Sequence, residues 1–213
     1  MIVEKAFVGA RGVDSLPFSQ SGTAAQARRL KETGIDFLVG YLGSINRTRL
    51  DYVLDAGLAF MPVTFAGEYF DGPADELAHL KALGIPAGAT VWLDLEGEKS
   101  FKHPVPDLTK KINDWARTIQ KAGYIAGLYV GSPQPFTADE LARLAVTRYW
   151  KAPSKVIDRN GKSWDEPTGL GWCSLQAWPQ RFWPNDTDPH RVWVDVDFIF
   201  HDRRERVPTW VRG

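Results

Sequence analysis

Between Ala10 and Leu144, short apolar runs alternate with amphipathic stretches through short links, and this alternation constrains the fold more than any other feature. The runs Ala10–Asp14, Asp36–Tyr41, Leu58–Phe65, Thr90–Glu96 and Ile125–Val130 read as strands. The stretches Thr23–Thr33, Arg47–Ala56, Ala74–Leu83, Asp107–Ala122 and Thr137–Leu144 read as helices. Gly34, Gly57, Gly84 and Gly123 stand where the first four helices should stop. Thr137, with Glu140 three residues on, has the spacing of a capping box for the fifth. Pro62 is awkward inside a central strand, because it has no N–H to donate. Strand–helix alternation with short links implies parallel strands joined by crossover helices.

Beyond Leu144 the pattern changes. Val146–Lys151 reads as a sixth strand, and Ala152–Gly171 offers Pro, Gly, Asp and Lys without a convincing helix. Trp172–Trp178 and Val192–Phe200 read as two more strands. Eight strands with about five helices predict an α/β fold, a single TIM-like barrel lacking its last helices. A chain of 213 residues suffices for one barrel and is tight for two domains. Residues 1–213 are therefore expected to form one domain, with a core at about 10–200 and a short, locally basic C-terminal tail in solvent.

Composition removes several function classes. Lys plus Arg and Asp plus Glu each number 26, so the chain lacks the basic field of a nucleic-acid binder. No run approaches the roughly 20 apolar residues of a membrane span, so no membrane insertion is expected. The start, MIVEKAFVGARG, has no apolar signal segment, which predicts synthesis in the cytoplasm. The lone Cys173 reads as a buried thiol, since no Cys/His signature accompanies it. His79, His103, His190 and His201 match no metal-ligand spacing, and neither a nucleophile elbow nor a dinucleotide or phosphate loop is present. No cofactor or metal is expected.

The C-terminal strand ends of a barrel carry its function. Here they offer Asp14, then Glu68 beyond the third strand, Asp94 and Glu96, Tyr129, Trp150, Gln176 with Trp178, and Asp195 with Asp197. Strand side chains alternate, so Trp92, Asp94 and Glu96 should share the face that looks into the mouth. Two carboxylates on one face repel, and one should hold its proton to higher pH, as a general acid requires. An isolated Asp-x-Glu could equally be a salt-bridged or metal-bound pair. Asp14 and Asp195, converging from other strands, favour catalysis. An Mg²⁺ or Ca²⁺ site fits less well, because the surroundings are aromatic. Carboxylates beside aromatics suit saccharides: the acids protonate and stabilise an oxocarbenium-like transition state, and rings stack on sugar C–H faces. Among the nine Trp, Trp150, Trp178 and Trp193 stand near predicted strand ends as candidate platforms; core packing is the other reading.

Gly12-Val13-Asp14, Asp94-Leu95-Glu96, Gly127-Leu128-Tyr129, Leu175-Gln176-Ala177-Trp178 and Val194-Asp195-Val196-Asp197, in that order, resemble the muramidase-type lysozymes of glycoside hydrolase family 25. Gly40-Tyr41-Leu42, Asp55-Ala56-Gly57-Leu58 and Leu83-Gly84-Ile85-Pro86-Ala87-Gly88 are also similar to a sister group, the glycoside-hydrolase-like domain of actinobacterial exported proteins. The resemblance runs from about Arg11 to Phe200. It implies a barrel of eight strands and five helices, with Glu96 as general acid and Asp94 as the stabilising carboxylate. Asp14 and Asp195 would complete the acidic cleft. Tyr41, Glu68, Tyr129, Trp150, Gln176, Trp178 and Asp197 would bind substrate. Two positions depart from the family pattern: Asp197 stands where Asn is common, and Gln176-Ala177-Trp178 replaces a Trp-Gln pair. The implied activity is that of a peptidoglycan N-acetylmuramidase, an endolysin of phage or prophage type delivered to the wall by a holin or phage particle. A non-catalytic glycan-binding module on the same fold is the alternative; retention of all four acids favours the enzyme.

Overall fold

The computed structural model describes residues 1–65, 73–95, 104–151, 156–164 and 175–213, the last span for backbone alone through residue 180. The expected alternation is present: β2 (Arg11–Asp14), α2 (Ala24–Glu32), β3 (Phe37–Tyr41), α3 (Arg47–Asp55), β4 (Ala59–Phe65), α4 (Pro73–Leu83), β5 (Thr90–Leu95), α5 (Val105–Lys121), β6 (Ile125–Val130), α6 (Ala138–Ala142) and β7 (Arg148–Lys151). Thr23 with Gln26, and Thr137 with Glu140, form complete capping boxes at the starts of α2 and α6. In α5, Leu108, Ile112, Trp115, Ala116 and Ile119 recur at helical spacing and form its buried stripe.

Six further strands and one helix complete the described elements. They are β1 (Ile2–Lys5), α1 (Leu16–Ser21), β8 (Val156–Ile157), β9 (Ser163–Trp164), β10 (Leu175–Trp183), β11 (Val192–Ile199) and β12 (Thr209–Arg212). β8 and β9 form a separate small hairpin. The other ten strands form one curled sheet, ordered β1-β12-β4-β3-β2-β11-β10-β7-β6-β5, in which β4 also pairs with β5.

This is not the regular TIM-like barrel that the alternation predicts. β11 runs antiparallel to both β10 and β2. The reason is the link: residues 184–191 are too short for a crossover helix, and a short link returns a strand antiparallel. The described helices number six rather than five, because α1 follows β2, capped by Ser15 and opened by Pro17. The expected solvent tail is corrected as well. β12 pairs with β1 along four residues and touches β4 through Val211 and Phe60, and Trp210 and Val211 are buried.

Pro62 is accommodated by a change of partner along one edge of β4. Ala59 donates its N–H to Asp36 on the β3 side, and alternation turns the nitrogen of Pro62 to the opposite edge. There β12 is met at Phe60 and β5 from Val63 onward, so Pro62 falls between the two.

The core has two layers. Outside the sheet, Leu38, Phe60, Val91, Leu93 and Leu128 pack against helix residues such as Leu30, Leu50, Leu80 and Ile112. Inside it, Phe37, Val39, Met61, Val63, Trp92, Trp150 and Trp210 fill the hollow. Rings of this size fit because facing strands carry glycine. A Cβ on Gly12 would stand 2.1 Å from the Phe37 ring, and one on Gly127 would stand 2.3 Å from the Trp92 ring. Trp92 cannot retreat, since Trp150 lies 6.0 Å away, ring centre to ring centre, on the same inner face. Gly127→Ala should therefore cost about 3 kcal/mol, the upper end of ordinary overpacking, read as a lower denaturant midpoint at unchanged slope.

One acid lies in the outer layer. Glu76 of α4 is 7% exposed, accepts a 3.1 Å hydrogen bond from the Thr64 hydroxyl, and accepts another from the Trp115 indole. Desolvation raises its pKa to about 7, against the partial relief of those two bonds.

Candidate active site

At the C-terminal ends of the parallel strands the inner face turns from apolar to polar. Asp14 ends β2, Tyr41 ends β3, and Asp94 and Tyr129 stand one residue before the ends of β5 and β6. β11 runs the other way, so its early residues Trp193 and Asp195 reach the same mouth. These side chains line a cavity of about 450 Å³ whose rim includes α1 with its cap Ser15, Leu42 and Ser44 beyond β3, and Phe65 at the end of β4.

The floor is carboxylate. Asp14 and Asp195 are opposed in register across β2 and β11, which brings their Cβ atoms to about 5 Å. The Tyr41 hydroxyl lies 3.5 Å from both Asp14 Oδ1 and Asp94 Oδ2, so it can donate to either and spans the two. Among the described residues that line the cavity there is no Lys, Arg or His.

Asp197 sits one layer deeper and has no exposed surface. Its Oδ1 accepts the Trp150 indole N–H at 3.1 Å. Desolvation pushes its carboxyl well above the usual range and the charge of Asp195 adds to this; hydrogen bonds with Trp150 and Asp14 recover only part. Burial thus biases Asp197 toward the uncharged acid, a form close to an amide in shape and charge. That is a physical reason why Asp can stand where Asn is common. Asp197→Asn should match the wild type in stability near pH 4 and gain on it as pH rises, because a raised folded pKa means stability lost as the pH climbs. Asp197→Leu, which leaves the Trp150 N–H buried without an acceptor, should cost about 1–3 kcal/mol in denaturant unfolding.

Of the residues expected at the site, the structure brings together Asp14, Asp94, Asp195, Tyr41 and Tyr129, with Asp197 beneath them. Glu96 and Glu68 lie outside the described residues. Gln176 and Trp178 pair through their backbones with Phe198 and Val196, and their side chains lie outside the description. Trp150 lines the cavity, as expected, but as a buried support and not as an open platform. It is 2% exposed, wedged between Tyr129 at 4.8 Å and Trp92, and supports the floor. The open apolar surfaces at the rim are Trp193 (38% exposed), Leu16 (42%) and Phe65 (51%). Phe65 was missed although its signal is plain: Met61, Val63 and Phe65 alternate on one face, and the last of them leaves the sheet at the mouth.

Three solved structures share this fold over nearly the whole chain. An uncharacterized protein of B. stearothermophilus superposes with a TM-score of 0.62 at 18% identity, covering 92% of this chain and 97% of its own. The bacterial lysozyme of Streptomyces coelicolor does so with a TM-score of 0.57 at 14% identity, covering 94% and 96%. The Tat-secreted protein Rv2525c of Mycobacterium tuberculosis, crystallised with L-tartrate, gives a TM-score of 0.55 at 14% identity, covering 91% and 96%. At these identities the likeness is one of fold. Neither a protein-family profile nor a curated sequence matches the chain.

Proposed function

We propose that this protein is a glycoside hydrolase acting on the glycan strands of peptidoglycan, an N-acetylmuramidase of lysin type. Glu96 is its general acid, and Asp94 is the carboxylate that faces the developing cation. The observation that carries the reading is the convergence of Asp14, Asp94 and Asp195 on one cavity whose rim is apolar and aromatic. Glycosidic cleavage needs a proton on the leaving oxygen and negative charge beside an oxocarbenium-like centre, and a carboxylate floor meets both needs. Trp193 and Phe65 suit the apolar faces of pyranose rings, and Tyr41 and Tyr129 bring polar tips to the same space. The likeness in fold to the Streptomyces coelicolor lysozyme agrees with this reading.

The test is incubation with purified, protein-free cell walls, following turbidity and new reducing ends together. A fall in turbidity with reducing-end release supports the proposal. Walls that bind the protein and yield no reducing ends would turn the reading to a glycan-binding module on the same fold.

A further inference from the structure

On the inner face of β11, alternate residues run outward from Asp197 through Asp195 to Trp193, about 7 Å per step, and Arg191 stands just before the strand in the loop that leads into it. Trp193 lines the cavity, and across the β10–β11 register it is opposed by Phe182, with ring centres 4.8 Å apart and planes at 68°. The Arg191 guanidinium lies 4.9 Å from the centre of the Phe182 ring. Arg191 is exposed, and among the described residues no carboxylate pairs with it. The platform is also held in place. The Ser15 hydroxyl donates to the Trp193 carbonyl at 2.7 Å, the Gln26 amide donates to the Arg191 carbonyl at 3.1 Å, and Arg29 pairs with Asp188 at 2.7 Å to tie the connecting loop to α2.

We propose that Trp193, Phe182 and Arg191 form an outer subsite that takes the anionic substituent of a saccharide whose neighbouring ring lies over the carboxylate floor. This rests on the glycan reading above and adds the residues that select a charged substituent. The cleft sorts charge by position. Asp14, Asp94 and Asp195 repel a negative substituent at the floor, whereas one or two strand steps outward a guanidinium stands ready on an aromatic support. Arg presents a planar fork that matches a carboxylate with two parallel hydrogen bonds. Its stacking on Phe182 limits the side-chain freedom that binding would otherwise remove. A carboxylate-bearing glycan such as one built on muramic acid fits this sequence of surfaces, and a neutral chitin-type chain leaves Arg191 unused.

The test measures affinity for three ligands in the full-length protein carrying Glu96→Gln to slow turnover. They are a muropeptide tetrasaccharide, the same compound with its carboxylates methyl-esterified, and neutral chitotetraose. The charged muropeptide should bind about fivefold tighter than its ester, the upper range for an exposed ion pair, and the advantage should shrink at high salt. Arg191→Gln should bring the charged ligand down to the level of the ester and leave chitotetraose unchanged. Trp193→Ala should weaken all three. If Arg191→Gln changes none of them, or lowers all three equally, the subsite is wrong while the glycan reading stands. If no ligand binds to the parent protein, the glycan reading itself falls and takes the subsite with it.

Discussion

Glu96→Gln should lose about 10²–10⁴ in the rate of wall clearing while keeping its fold and most of its glycan affinity. The expectation comes from the run Trp92-Leu93-Asp94-Leu95-Glu96. Trp92 packs in the hollow of the sheet and Asp94 faces the cavity, whereas Leu93 and Leu95 belong to the outer layer. In the sequence, Glu96 stands two positions beyond Asp94 in the same alternating set, and it lies outside the described residues. The proposed role as general acid requires a carboxyl that holds its proton, which like charge and desolvation favour. Glutamine keeps the size and hydrogen-bonding shape and removes the proton, so the loss should fall on turnover more than on binding. Asp94→Asn should also damage turnover, by removing negative charge from the floor. Equal clearing by wild type and Glu96→Gln would refute the assignment of the acid.

The second large effect is on stability and concerns an acid far from catalysis. Glu76 titrates at about 7 in the folded protein against 4.5 in a solvated chain. Between those values the folded state keeps a proton that the unfolded state releases, so stability is fully present below about pH 4.5 and declines as pH rises to about 7. The difference corresponds to about 3 kcal/mol. Glu76→Gln should remove this slope. Its amide oxygen can accept from the Trp115 indole, and its NH₂ can donate to the Thr64 hydroxyl, so both contacts survive without a buried charge. Denaturant unfolding at pH 5 and pH 8 is the measurement. The variant should equal wild type at the lower pH and exceed it by about 2–3 kcal/mol at the higher. A wild-type stability that does not fall between the two pH values would contradict the account.

What could be read from the residues follows from how local each determinant is. α2 and α6 announce themselves through Thr23 with Gln26 and Thr137 with Glu140, pairs within a single turn. β5 is legible from alternation alone, and with it the inward aim of Asp94. α1 is six residues long and contains Pro17, too short for a helical periodicity to show. β1 and β12 are four residues each, and each is defined by a partner at the other end of the chain. The direction of β11 is not a property of its own residues: β10 runs on to Trp183, beyond the Trp178 at which the sequence reading ends it, and only this extension shortens the link to 184–191. At the site, the meeting of Asp14, Asp94 and Asp195 followed from their places at strand ends. The raised pKa of Asp197 did not, because protonation is decided by what surrounds a group. Trp150 misled for the same reason: its place at a strand end suits a platform as well as a floor, and burial decides between them.

The pairing of β1 with β12 has a consequence for how the molecule can be joined to others. Ile2 stands opposite Arg212, so the two ends of the sequence emerge side by side. Trp210 packs on Phe37 at the start of β3, and Thr209 hydrogen-bonds Thr90 at the start of β5, which puts both ends beneath the sheet, away from the cleft. A domain, tag or surface attached at either end would hang from the base and leave the mouth clear. The same adjacency makes the ends easy to connect: a short linker could join them, with new ends cut in an exposed loop, while each strand keeps its neighbours.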